Sequence, residues 1–240
     1  MTIAIGKLIL PVACLLFVAP AVLYAQTSNT VTEFDPGIVV AIDLPKHFRF
    51  DLYTGQEKSE ELASARTKVG AGISFRVKPI FKRLLDDEDS DKQHLLVLGT
   101  AYEYSQASEQ DQTSIEHRLM VDATLRYDLP KKLLLSDRNR FEFRWVNGDY
   151  HVRYRNRPAL ERSFKLYRRK ITPYIAGELF WDQRYKKLNV YKFTSGVLVP
   201  IFRRTSLDFF YERQHCTTCS TTNTNIFGLN LNIAFSLKKK

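Results

Sequence analysis

The sequence predicts an all-β chain, closed into a transmembrane antiparallel up-and-down β-barrel of about twelve strands, on three observations. Leu133 to Ser163 reads as two alternating strands folded about Asn147-Gly148, the strongest short hairpin signal a sequence carries. The alternation is inverted, with six arginines set against aromatics where a soluble sandwich would scatter small polar residues. No run after residue 25 approaches the ~20 apolar residues of a spanning helix, while 12 Tyr and 16 Phe against 2 Met favour strands.

A two-residue turn at Asn147-Gly148 sets Val146 opposite Asp149, Trp145 opposite Tyr150, Phe143 opposite Val152 and Phe141 opposite Tyr154. These form one apolar, aromatic side. The other side collects Arg138, Arg140, Glu142 and Arg144 from the first strand and His151, Arg153, Arg155 and Arg157 from the second. An outer-membrane barrel, greasy outside and polar within, explains that division; a soluble hairpin with a solvated basic face is the competing reading.

The other elements follow the same period. After a polar lead-in, Pro36-Gly37 marks a turn, and Ile38 to Leu44 and Phe48 to Thr54 pair about Pro45-Lys46-His47. Gln56 to Arg66 is hydrophilic and expected to loop out. Lys68 to Lys78 alternates, with Val69, Ala71, Ile73, Phe75 and Val77 on one side. Leu95 to Tyr104 is the next strand, Ser105 to Thr113 a loop, and from Arg118 onward Leu119, Val121, Ala123, Leu125 and Tyr127 share one face. Pro130-Lys131-Lys132 turns into the organising hairpin. Beyond a basic turn at Lys165 to Lys170 come Thr172 to Arg184, Val190 to Ile201 and Leu207 to Arg213, then a polar loop from His215 to Asn223. The last strand sends Leu229, Leu231, Ile233, Phe235 and Leu237 outward. It runs on to Lys238-Lys239-Lys240 where barrels usually stop on an aromatic, although Phe235 keeps the right parity.

This scan finds about eleven strands, whereas single-chain bacterial barrels have even numbers. Either Thr30 to Phe34 begins a further strand, giving twelve, or Ile38 to Leu44 is not an independent span, giving ten; twelve is preferred. No linker appears, so residues 26 to 240 form one barrel domain. Residues 1 to 25 have an early lysine, an apolar core and small residues before Gln26, as in a secretory signal peptide. Cleavage is expected after Ala25 or, failing that, after Ala21. Cys14 then leaves with the leader.

The run LLLSDRNRFEFRWVNGDYHVRYRNR, followed by ITPYIAGELFWDQRY and later Tyr211-Glu212-Arg213-Gln214, resembles an uncharacterised family of bacterial outer-membrane barrels, catalogued as domain of unknown function 2490. The resemblance covers roughly residues 37 to 237, and the two RNR motifs are its most specific part. It implies a barrel in the outer membrane of a Gram-negative bacterium and implies no substrate.

Net charge is +10, from 36 Lys+Arg against 26 Asp+Glu, which suits anionic partners such as lipopolysaccharide phosphates or a small anionic solute. Nucleic acid is excluded as the expected partner, since the arginines lie in strand alternation without a helix-turn-helix, zinc-finger or RNA-binding signature. Membrane lipid and the barrel-assembly machinery complete the expected partners. No cofactor is expected. The acidic run Asp86-Asp87-Glu88-Asp89 lacks the EF-hand glycine and terminal glutamate. Cys216 and Cys219 lack a helix after a strand for redox work and have only His215 as a local co-ligand for zinc. A disulfide closing the loop tip is the expected state.

Opposite Arg153, Glu142 makes a favourable cross-strand pair; Arg140 against Arg155 and Arg138 against Arg157 are like charges directly opposed, which destabilise. Something must neutralise them. Asp122, Glu178, Asp182, Asp208 and Glu212 from other strands can cross the lumen and plug it with salt bridges, or the ladder is left partly unpaired and a narrow, porin-like lumen attracts anions. A barrel of this size, between side-chain-filled and open ones, favours the plug. A lipid-modifying esterase or acyltransferase is the other class. It needs a nucleophile activated by a base, and the neighbourhoods of His47, His94, His117, His151 and His215 offer no local pairing with serine, leaving only a dyad of His117 or His151 with a serine from another strand. The assigned facing makes Arg155→Glu tolerable, by relief of a like-charge pair. It also predicts that Phe143→Arg destabilises the barrel by about 2–4 kcal/mol near the bilayer midplane; normal assembly of that variant, measured by folded yield in outer membranes, would invert the facing.

Overall fold

A computed structural model describes residues 30–45, 47–59, 63–77, 94–109, 112–130, 133–166 and 169–237. The leader with both cleavage sites, Cys14, the run Asp86 to Asp89 and the three terminal lysines lie outside the described residues.

Twelve strands follow one another: β1 Thr30–Asp43, β2 Phe48–Ser59, β3 Ser64–Val77, β4 Leu96–Glu109, β5 Gln112–Leu129, β6 Leu133–Val146, β7 Asp149–Arg162, β8 Phe164–Leu166, β9 Arg169–Asp182, β10 Lys187–Phe202, β11 Thr205–Cys216 and β12 Asn223–Ser236. Each spanning strand hydrogen-bonds to its sequence neighbours, and β12 returns to β1, so the sheet closes. The three residues of β8 continue β7 past Ser163 in the same register against β9, with Glu161 opposite Tyr174 and Phe164 opposite Ile171. Eleven strands therefore make the ring. Thr30 to Phe34 does begin a strand, but it runs unbroken into Ile38 within β1, so the turn expected at Pro36-Gly37 does not form. The register continues across this pair, from Phe34 opposite Lys58 to Gly37 opposite Gly55.

An odd ring of hairpins forces its first and last strands to run the same way. The Leu237 N–H donates to the Asp43 carbonyl at 2.9 Å, and Gly37 lies against the Asn230 side chain, so positions rise together along β1 and β12. The seam is parallel. Thr30 and Ser236 consequently sit at opposite rims.

The organising hairpin has the register expected of it, residue by residue, from Val146 opposite Asp149 to Leu133 opposite Arg162. Asn147 and Gly148 have φ of 50° and 93°, the positive values that a type I′ turn requires. One placement is corrected: Val146 and Asp149 face each other but carry the parity of Arg144 and His151, so they do not belong to the aromatic side. Alternation had to reverse at the residue next to Trp145.

The interior is inverted. Among the described residues, eighteen polar or charged side chains are buried against nine apolar ones, while Phe141, Ile38, Leu98, Val121 and Phe209 are exposed on the outside. Strands are longer than the apolar pattern: the stretches Gln56 to Arg66 and Ser105 to Thr113, expected as loops, are largely strand in β2, β3, β4 and β5. Fourteen residues at ~3.3 Å each, tilted ~40°, rise about 35 Å, and these polar stretches lie at the ends of that rise.

Inward rings lie over glycines on the facing strand: Tyr53 over Gly70, Tyr174 over Gly196 and Phe210 over Gly228. A side chain at Gly228 would occupy the Phe210 ring. Gly228→Val is expected to lower barrel stability by about 1–3 kcal/mol, and Phe210→Ala in the same chain to restore part of it. Urea unfolding of the single and double variants checks this coupling; simple addition of the two losses would refute the contact.

Candidate functional site

The hairpin β6–β7 places Arg138, Arg140, Glu142, Arg144, His151, Arg153, Arg155 and Arg157 on the inner face, with Arg138 opposite Arg157 and Arg140 opposite Arg155. Carboxylates from two further strands, β5 and β9, meet most of them. Arg155 on β7 is the hub: its Nη1 donates to Glu142 on β6 at 2.6 Å and its Nη2 lies 2.9 Å from Glu178 on β9. Its guanidinium also stacks over the Phe180 ring, 4.4 Å from the centroid. Arg138 reaches Glu178 at 3.0 Å, and Arg153 reaches Asp182 at 3.0 Å. Arg144 makes a two-point pair with Glu116 on β5, Nη2 to Oε2 at 2.8 Å, and Arg140 pairs with Asp122 at 2.9 Å. Arg118 joins Glu116 at 2.9 Å and Glu103 on β4 at 3.1 Å.

Two longer contacts of 3.9 Å, Arg118 to Glu142 and Arg144 to Asp182, join all of these except the Arg140–Asp122 pair into one network across β4, β5, β6, β7 and β9. Glu103, Glu116, Glu142, Glu178 and Asp182 balance Arg118, Arg138, Arg144, Arg153 and Arg155, with Arg184 adding a sixth cation from the β9–β10 turn, 3.0 Å from Asp182. Glu142 and Asp182 are fully enclosed. Charges so buried persist only when paired and hydrogen-bonded, because desolvation otherwise exceeds the attraction.

Two expectations change. Glu142 pairs with Arg155, the diagonal neighbour, rather than with Arg153 directly opposite, since sheet twist brings diagonal side chains within reach of long arginines. Arg155→Glu would then place a third carboxylate between Glu142 and Glu178, which reverses the tolerance expected of it.

Asp208 accepts from the Tyr174 hydroxyl at 3.0 Å, while Glu212 pairs with Lys192 at 2.6 Å and accepts from Thr194 at 2.9 Å. Sequence reasoning missed Glu103, Glu116 and Arg118 as members of the main network. It also missed two smaller ones: Asp35, Glu57 and Lys68 near one rim, and Asp43, Arg49 and Arg76 near the other. All of them share the parity of the inward residues on their strands, which was the available signal.

Arg157 makes no ion pair or hydrogen bond among the described residues. Arg138 buries its Nε without a partner, although 27% of its side-chain surface remains accessible. The asparagines of the two RNR motifs point the other way. On the outer face Asn139 and Asn156 stand opposite each other and, with Asp137 and Tyr154, form a hydrogen-bonded set: Asn156 donates to Asp137 at 2.7 Å and to Asn139 at 3.1 Å.

His117 faces outward, with Nδ1 2.6 Å from the Tyr102 hydroxyl, and His151 is buried inside with Nε2 unpartnered. Neither hydrogen-bonds a serine among the described residues. His215 meets Asn223 at 3.1 Å, and Cys216 is joined to Cys219 by a disulfide with Cα atoms 5.5 Å apart.

A solved structure of similar chain path is that of LpxR from Salmonella typhimurium, 8% identical, covering 78% of this chain and 83% of that one at a TM-score of 0.46. No curated protein matches the sequence. The family model for a protein of unknown function, DUF2490, matches residues 91–225, a span that holds the whole charged hairpin and all five carboxylates of its network. The match covers more than half of the sequence, and the chain belongs to that family.

Proposed function

We propose that the protein is an outer-membrane β-barrel whose lumen is closed by the network centred on Arg155, making it a non-conducting barrel rather than an open pore. The observation that carries this reading is the inversion: exposed aromatics and aliphatics outside, fully enclosed carboxylates and arginines within. Such a surface is stable against hydrocarbon and not against water. Aromatic side chains at both ends of the outer face, Trp145, Tyr150 and Trp181 toward one rim and Phe48, Phe75 and Tyr127 toward the other, suit the two interfaces of a bilayer. Arg184, in the turn at the first of these rims and 42% exposed, suits the phosphates of lipopolysaccharide. The outward Phe235 on the last strand suits the barrel-assembly machinery.

Heat-modifiable migration on gels and recovery with the outer membrane are expected, since a closed barrel resists detergent until heated. Recovery as a soluble periplasmic protein would remove the basis of this reading.

Reconstituted into a planar bilayer, the native protein is expected to be electrically silent, whereas Arg155→Ala, which leaves Glu142 and Glu178 without their shared cation, is expected to leak. An appreciable anion-selective conductance from the native protein would overturn the closed lumen in favour of a narrow pore for anionic solutes.

A further inference from the structure

Resting on the inward facing of the β6–β7 arginines, we propose that Arg138 and Arg157 form a binding site for a phosphate-like oxyanion on the inner wall of the barrel. The two residues are directly opposed across the strand pair, an arrangement that like charges disfavour unless an anion lies between or beside them. The rest of the ladder has its anions. Arg140 holds Asp122, Arg144 holds Glu116, Arg153 holds Asp182, and Arg155 holds both Glu142 and Glu178.

At the Arg138–Arg157 level the supply fails. Among the described residues Glu178 is the only carboxylate that Arg138 reaches, through Oε1, and Arg155 occupies the same oxygen from its Nε and Nη2. Arg157 lies within electrostatic range of Glu178 and Tyr174. The Tyr174 hydroxyl is already directed to Asp208, and Arg157 reaches no carboxylate closely enough to pair with one among the described residues. Four guanidiniums at Arg138, Arg140, Arg155 and Arg157 thus share Asp122, Glu142 and Glu178, leaving one positive charge over.

A second observation marks the same place. The Arg138 Nε is buried without an acceptor, and a buried donor left without one is destabilising and rare in folded proteins. Yet over a quarter of the Arg138 side chain is open. An inward residue at the middle of a closed wall can be open only to internal space, so the exposed part of the Arg138 side chain adjoins room for a ligand. Two opposed guanidiniums and one surplus charge match a tetrahedral oxyanion, which accepts several N–H bonds at once and takes arginine forks in preference to other cations. The chemistry is the same for free phosphate and for the phosphate of a lipid headgroup.

The test uses the purified full-length chain, folded in detergent, with inorganic phosphate as titrant and phosphorus NMR line broadening as readout at constant ionic strength. The native barrel is expected to broaden the phosphate line saturably, Arg157→Gln to weaken binding about tenfold or more, the scale of one charge-assisted hydrogen bond, and the outward Arg213→Gln to leave it unchanged. Heat-modifiable migration of each sample reports the barrel itself. A barrel that fails this check speaks against the fold reading, whereas a folded native barrel that gives no saturable broadening, or gives the same broadening after Arg157→Gln, overturns the site alone. Displacement of bound phosphate by short-chain phosphatidic acid would assign the site to a lipid phosphate, and resistance to displacement to the free anion.

Discussion

The charged wall of the β6–β7 hairpin depends on one guanidinium shared by three strands. Arg155 ties β7 to Glu142 on β6 and to Glu178 on β9 while covering Phe180, and Glu178 also holds Arg138, so these carboxylates are each in use by more than one strand's cation or by the shared one. A closed sheet imposes this. Side chains of one parity have nowhere to go but inward, and with little room for bulk water they must satisfy one another. The network is better understood as a condition of burying so many arginines than as a source of stability, since buried ion pairs seldom exceed the desolvation of their members.

The hairpin was legible because its turn chemistry is local. Asn147-Gly148 fixes both the turn and the register, and all fourteen facing pairs follow from counting outward. Strand ends were not legible, because alternation of apolar and polar residues reports contact with an apolar medium. Toward the ends of β2, β3, β4 and β5, as around Glu57, Arg66, Gln106 and Gln112, both faces are polar and the pattern reads as loop. The carboxylate partners of the ladder were half legible. Parity identified Asp122, Glu178 and Asp182, but which cation each one holds depends on twist and strand order, and Glu116 and Glu103 enter only because β5 stands beside β6 and β4 beside β5.

The RNR motifs illustrate a limit of reading a motif as one unit. Their arginines and asparagines are adjacent in sequence and separated by the thickness of the wall. Arg138, Arg140, Arg155 and Arg157 shape the interior, whereas Asn139 and Asn156 place an amide pair on the outer surface midway along β6 and β7. One spacing thus specifies two surfaces that never touch.

The parallel seam bears on the order in which the ring is assembled. Every other junction joins strands that follow one another in the chain, with β8 continuing β7, but β1 meets β12 only after the whole intervening sequence has been laid down. Loop closure of that span is the largest entropic step in the fold, and a parallel ladder returns slightly less per residue than an antiparallel one. The sheet must therefore exist as an open, curling ribbon with two unsatisfied edges before it becomes a cylinder. The same junction is the one along which it would first part under load.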